Sequence, residues 1–112
     1  MGRHRLFCGN ALESTSYDAL LAGEEAAAIF TGPPYNVPVN GHVTGKGRRK
    51  HREFAMAAGE MTREAFTRFL RDALRMAVLH SVENATLFAC MDWRHVVEIA
   101  NAIPEIGCEV LN

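Results

Sequence analysis

The chain reads as an α/β domain: a three-layer sandwich fragment in which a mostly parallel sheet of about four strands carries helices on its faces. Three observations predict this. The runs Ala26 to Phe30 and Ala85 to Met91 have strand length and are nearly all apolar, as strands buried on both faces of a parallel sheet are. Between them Phe66, Phe69, Leu70, Ala73, Leu74, Ala77 and Val78 follow the i, i+3, i+4, i+7 spacing of a core-facing helical stripe. Strands and helices also alternate through short links, which implies parallel pairing by crossover.

Taken in order, Arg5 to Cys8 is a short strand closed by Gly9-Asn10. Ser16 is placed to cap a helix from Tyr17 to Ala22, with Leu20 and Leu21 as its apolar side and Gly23 as its stop. The strand Ala26 to Phe30 then breaks at Gly32-Pro33-Pro34. From Val37 to Gly59 periodicity disappears, and Pro38, Gly41, Gly45, Gly47 and Gly59 interrupt the text. A structureless stretch of that length is uncommon in a small domain and points to a functional or flexible loop, 37–60. Thr62 caps a helix running to about Val82, whose other side carries Arg63, Arg68, Arg71, Asp72 and Arg75. Glu64 with Arg68, and Asp72 with Arg68 or Arg75, are at spacings for weak surface pairs. After the strand Ala85 to Met91, Asp92 caps a helix from Trp93 to about Ile103, ended before Pro104. Gly107 turns the chain into a fourth strand, Cys108 to Leu111.

At 112 residues the chain is a single domain, 1–112. A net charge of -1 gives no global pull toward nucleic acid. The charge is nevertheless uneven: Lys46, Arg48, Arg49, Lys50 and Arg52 place five of the twelve Lys and Arg within seven residues. Cys8, Cys90 and Cys108 are odd in number, lie in apolar runs and form no Cys-x-x-Cys pair, which reads as buried free thiols in a reducing, cytoplasmic setting. No apolar run approaches the length of a membrane span. His4, His42, His51, His80 and His95 show no paired ligand spacing for a metal.

The stretch Ile29-Phe30-Thr31-Gly32-Pro33-Pro34-Tyr35-Asn36 organises the rest. Two prolines fix φ near -65° and remove two backbone donors. A stiff corner therefore holds Tyr35 and Asn36 just past a strand end, where open α/β sheets bind ligands. An aromatic face beside an amide suits a flat heterocycle bearing donors and acceptors.

This stretch resembles the signature of the amino-methyltransferases of DNA, which methylate the exocyclic amine of adenine or cytosine with S-adenosylmethionine. The family signature is Asp, Asn or Ser followed by Pro-Pro-Tyr after an apolar strand. Pro33, Pro34, Tyr35 and Asn36 match it, and Gly32 stands where the polar residue belongs. Leu6-Phe7-Cys8-Gly9-Asn10-Ala11-Leu12-Glu13 is similar to the Gly-Asp strand end upstream of the signature, with Asn10 in place of the acid. The resemblance implies a partial Rossmann-like methyltransferase fold and a site-specific enzyme, adenine-directed rather than cytosine-directed, acting on double-stranded DNA.

Carried over residue by residue, it makes Gly32, Pro33, Pro34 and Tyr35 the catalytic corner. Tyr35 would stack on the extruded base, and the Pro33 carbonyl would accept a hydrogen bond from its amine. Asn10, Thr31 and Asp92 would face the cofactor. Asn36, Lys46, Arg48, Arg49, Lys50 and Arg52 would meet DNA, the cations at phosphates. Gly32 offers no side-chain acceptor, and loss of one such contact costs on the order of 10²–10³ in rate. The Phe-x-Gly-x-Gly turn that grips the cofactor is absent from these residues. In a permuted arrangement of the family that turn follows the signature, so the chain is expected to be a truncated, inactive amino-terminal portion. Two other readings stand beside this one. One is a non-catalytic module holding DNA through residues 46–52, and the other a chain that self-associates through an unpaired sheet edge.

Overall fold

The computed structural model describes residues 2–39 and 52–112. Its elements are helix α1 (Ser14–Leu21), strand β1 (Ala26–Thr31), helix α2 (Arg63–Leu79), strand β2 (Ser81–Ala89), a 3-10 turn (Trp93–His95) and helix α3 (Val96–Glu105). The fold is α/β, with a two-stranded parallel sheet and helices. The four-stranded arrangement is corrected: among the described residues β1 and β2 are the strands.

Both missing strands have physical reasons. The segment around Arg5 runs beside α1, where the Arg5 guanidinium donates to the Leu20 and Leu21 carbonyls and pairs with Glu24. Those carbonyls lie in the last turn of α1, where intrahelical donors run out (Leu21's also accepts from the Glu24 amide), and a cation there suits the helix dipole. At the other end, Gly107 takes φ 79 and leads the chain out of α3. Gly107 and Cys108 donate back to the Pro104 and Ile103 carbonyls. Among the described residues the apolar text Cys108–Leu111 finds no ladder, and Leu111 stays 84% exposed.

Helix ends also shift from their expected places. α1 begins at Ser14, with Glu13 in the cap position and no side-chain cap, so Ser16 lies inside the first turn. Its Tyr17 stacks on His80 with ring centroids 4.9 Å apart, and burial raises the Tyr17 hydroxyl pKa. α2 starts as expected, with the Thr62 side chain accepting from the Ala65 amide at 3.1 Å. It stops at Leu79 rather than Val82. His80 Nδ1 donates to the Met76 carbonyl at 2.8 Å, and Ser81 Oγ donates to that of Ala77 at 2.8 Å. Side chains thus satisfy the last carbonyls, and Ser81 passes straight into β2. Asn84, at φ 66, sits where the register jumps from Ala26↔Ser81 to Ala28↔Thr86. α3 carries Pro104 in its last turn and ends at Glu105.

The core lies between α2, α3 and one face of the sheet. Phe66, Leu70 and Leu74 from α2 meet Ile99 and Ala102 from α3, with Ala57 from the preceding loop. Leu87 and Ala89 of β2 pack against this cluster. The helix stripe is borne out by its three buried members, whereas burial of β2 on both faces is not. Phe30 is 80% exposed and Phe88 54%. The cysteines depart from expectation as well, since Cys8 and Cys90 are exposed and Cys108 half-buried. Along α2 Arg71 pairs with Asp72 and Glu105, at 2.9 and 3.5 Å, and Arg63 with Glu98 at 3.6 Å.

Candidate nucleobase corner

β1 and β2 end together, with Thr31 opposite Ala89. The Thr31 carbonyl accepts from the Cys90 amide at 2.8 Å, extending the ladder to the last residue before the elbow. The prolines then take the chain off the sheet, and Tyr35 is left half-buried. Its hydroxyl folds back to 3.6 Å from where a Cβ on Gly32 would stand. The elbow and the turn after β2 therefore share the carboxyl edge of the sheet, the position at which α/β sheets receive ligands.

Asn36 is the keystone of this corner and is not a free amide. It is 7% exposed and adopts φ 53, the left-handed region that asparagine tolerates better than most residues. Its Nδ2 donates to the Met61 carbonyl at 2.9 Å, while Oδ1 accepts from the Gly59 and Met61 amides, both at 3.1 Å. One side chain thus binds the elbow to the segment leading into α2. The amide expected to meet DNA is thus used internally, and its Oδ1, already accepting twice, is not free to replace the acceptor missing at position 32. Gly59 is fixed by the same closure, because its φ is +106 and an added Cβ would stand 2.9 Å from Pro38 Cδ. Nearby, the Ala57 and Ala58 amides donate to Glu60, and the Val39 amide to Glu53 at 2.9 Å. The Glu60 carboxyl is held below its ordinary value, first by its own backbone amide.

The other expected site residues are placed differently. Asp92 caps the 3-10 turn, accepting from the Arg94 amide at 3.0 Å and pairing with its guanidinium at 3.2 Å. Asn10 makes local bonds, accepting from the Leu12 amide at 3.0 Å and donating to Glu13 at 3.1 Å. Four residues on, Ser14 meets His80 at 3.2 Å, beside the start of β2 and thus at the far end of the sheet from the elbow. Thr31 and Asp92 stand at the same edge of the sheet, the Thr31 carbonyl bonding the Cys90 amide two residues before Asp92, while Asn10 bonds within its own turn. Lys46, Arg48, Arg49 and Lys50 lie outside the described residues, and Arg52 is exposed coil.

Gly32 itself is exposed, its φ lies outside the left-handed region, and an added Cβ would meet the Tyr35 hydroxyl alone within 4 Å, at 3.6 Å. Glycine is therefore not required there. Gly32→Asp is expected to leave stability unchanged or to raise it by up to about 1 kcal/mol, through the reduced freedom of the unfolded chain. Urea unfolding checks this, and a loss above ~1 kcal/mol would contradict it.

The sequence reading missed one buried charge cluster beside the corner. Glu98 is 3% exposed. Its Oε1 lies 3.2 Å from His95 Nδ1 and 3.6 Å from Arg63 Nε, and its Oε2 has no partner. The cover over it is thin, since the Arg63 side chain is 78% exposed. Desolvation pushes the Glu98 pKa up most strongly. The His95 hydrogen bond, the Glu98 backbone amide and the charges of His95 and Arg63 outweigh it, so the value falls below the ordinary 4.5. A carboxylate lowered on folding stabilises fully above its ordinary value, and that contribution disappears as pH falls through the folded-state value. Urea midpoints measured from about pH 5 to about pH 3 are expected to decline, less steeply in Glu98→Gln, with the remainder due to groups such as Glu60. An unchanged acid limb in Glu98→Gln would rule out the cluster as its source. The spacing of His95 and Glu98, i and i+3 at a helix start, was the available signal.

Among the described residues no group of three or more His, Cys, Asp or Glu could hold a metal, and no helix is long and apolar enough to cross a membrane. Compared with family models, curated proteins and solved structures, the chain matches none.

Proposed function

We propose that the chain is a nucleobase-recognition unit of the DNA amino-methyltransferase lineage, adenine-directed rather than cytosine-directed, that has lost turnover. The observation carrying this reading is the elbow: Pro33-Pro34 places a half-buried Tyr35 at the carboxyl edge of a parallel strand pair. The phenol offers an aromatic face for an extruded base, and the Pro33 carbonyl an acceptor for its exocyclic amine. Gly32 supplies no second acceptor, and Asn36 has none to spare. Of the residues named for S-adenosylmethionine, Asp92 and Asn10 are engaged locally, and the glycine turn of the family is absent from these residues. We therefore assign no transfer step to this chain.

The test has two arms. Tritiated methyl transfer from S-adenosylmethionine to unmethylated DNA should give no turnover, and turnover would overturn the assigned loss. A duplex carrying 2-aminopurine reports base extrusion by fluorescence. Tyr35→Ala should weaken that response by roughly tenfold or more, since base–aromatic stacking is worth about 1–3 kcal/mol. An identical response from both proteins would sink the reading.

A second reading keeps DNA but not the elbow: binding through the basic stretch Lys46 to Arg52. It requires affinity that falls steeply with salt and falls again when Arg48, Arg49 and Lys50 are neutralised. A third reading is self-association by added strands, since among the described residues neither edge of the two-stranded sheet is paired.

A further inference from the structure

At the end of the sheet away from the elbow, Ser14 and His80 make a contact that base recognition does not use. Ser14 Oγ lies 3.2 Å from His80 Nε2. The other ring nitrogen decides which of the two donates. His80 Nδ1 is 2.8 Å from the Met76 carbonyl, and a carbonyl only accepts, so Nδ1 carries a hydrogen. In the neutral ring Nε2 is then a lone pair, and the Ser14 hydroxyl donates to it. Tyr17 holds the ring in place. It stacks on the imidazole with centroids 4.9 Å and planes 18° apart, and its own hydroxyl donates to the Ala11 carbonyl at 3.1 Å. The base is sheltered and the hydroxyl is not: the His80 side chain is 18% exposed, whereas Ser14 is open to solvent.

From this geometry we propose that Ser14 is an activated nucleophile, with His80 as its general base, and that the pair takes the acyl group of a small neutral or cationic ester. A hydroxyl bonded to an imidazole whose second nitrogen is held by a third group is the arrangement that activates serine. Here the third group is the Met76 carbonyl. In the step, Oγ bonds to the acyl carbon while Nε2 takes the hydroxyl proton. The ester C–O bond breaks, and the imidazolium passes that proton to the departing alkoxide. Water, deprotonated by the same nitrogen, then releases the carboxylic acid and restores Ser14.

The surroundings suit the charges that develop. Asp18 Oδ1 lies 3.3 Å from His80 Nε2 and stands against the positive charge that forms on the ring. Ser14 opens α1, and no side chain caps that helix, so its first-turn amides are available to the oxyanion. Charge also selects the ester. Exposed Glu13 precedes Ser14, and exposed Asp18 follows one helical turn later. Together they repel an anionic acyl group and admit a neutral or cationic one. The pair is remote from the elbow, and a failed base-extrusion assay leaves the proposal standing.

The experiment is labelling of the full chain with an uncharged fluorophosphonate ester, followed by peptide mass mapping. Phosphorus takes the place of the acyl carbon, and fluoride leaves with the proton. A label at Ser14 is expected, and Ser16→Ala in the same helix should label as the native chain does. His80→Gln should slow labelling at Ser14 by about 10²-fold or more, the worth of a general base. The rate should also fall in acid, as a proton occupies the Nε2 lone pair. With Cys8, Cys90 and Cys108 blocked by iodoacetamide, release of p-nitrophenolate from p-nitrophenyl acetate should drop in Ser14→Ala. No label at Ser14 overturns the proposal, and so does labelling as fast in His80→Gln. Ester cleavage unchanged in Ser14→Ala overturns the acyl step. Should circular dichroism show His80→Gln unfolded, the native chain decides: a labelling rate constant from about pH 5 to about pH 8 overturns the role of His80.

Discussion

Asn36→Ala is expected to lower the unfolding free energy by about 4 kcal/mol. The substitution strands two amides and a carbonyl, those of Gly59 and Met61, in a partly buried loop. Each unpaired group costs about 1 kcal/mol or more. Alanine at φ 53 adds about 1 kcal/mol, because its Cβ crowds the following carbonyl in the left-handed region. Asn36→Gly separates the two causes: it restores the backbone freedom without the hydrogen bonds, and should recover only the last part. Urea unfolding gives the total. Native-state hydrogen exchange at the Gly59 and Met61 amides gives the local part, and both should lose protection. A total below about 1 kcal/mol with protection intact would mean that Asn36 holds nothing, and the elbow would need another support.

The same residue marks how far the site could be read from sequence. Asn36 follows Pro-Pro-Tyr, and an exposed amide on a stiff corner looks like a recognition group. Its real partners, Gly59 and Met61, lie across a long aperiodic stretch. No local pattern announces such a pairing. What could be read was the elbow itself, because proline sterics act on adjacent residues. The strand Ala26–Phe30 and the caps Thr62 and Asp92 were legible for the same reason, as properties of neighbours in the chain. Asp92 is the instructive case, since a cap satisfies a helix start in almost any fold and so says nothing of a cofactor.

The sheet failed at its margins because a strand is defined by its partner. Arg5–Cys8 and Cys108–Leu111 have the apolar text of short strands. One is drawn aside by an arginine on the end of α1, and the other leaves α3 without a strand beside it. β2 illustrates the complementary error. Its apolar run suggested burial on both faces, yet composition reports only what a surface can cover, not what covers it. With two strands in the sheet, α2 and α3 cover one side.

Phenylalanine at two positions turns that argument into a measurement. Phe66→Ala is expected to cost about 3–5 kcal/mol, the range for a fully enclosed ring. Phe66 is 0% exposed, stands 6.1 Å from Phe69 and presents an edge to His95 at 5.0 Å. Removing it opens a cavity where α2, α3 and the loop at Ala57 meet. It also withdraws a wall from the His95–Glu98 pair, so the acid limb should move along with the midpoint. Phe30→Ala, at 80% exposure, is expected to cost within about 1 kcal/mol in dilute, monomeric chain. Both runs read alike in sequence, each an aromatic within apolar text. Equal losses at the two sites would mean that the outer face of the sheet is already covered in the monomer, and the packing described for β1 and β2 would have to be redrawn.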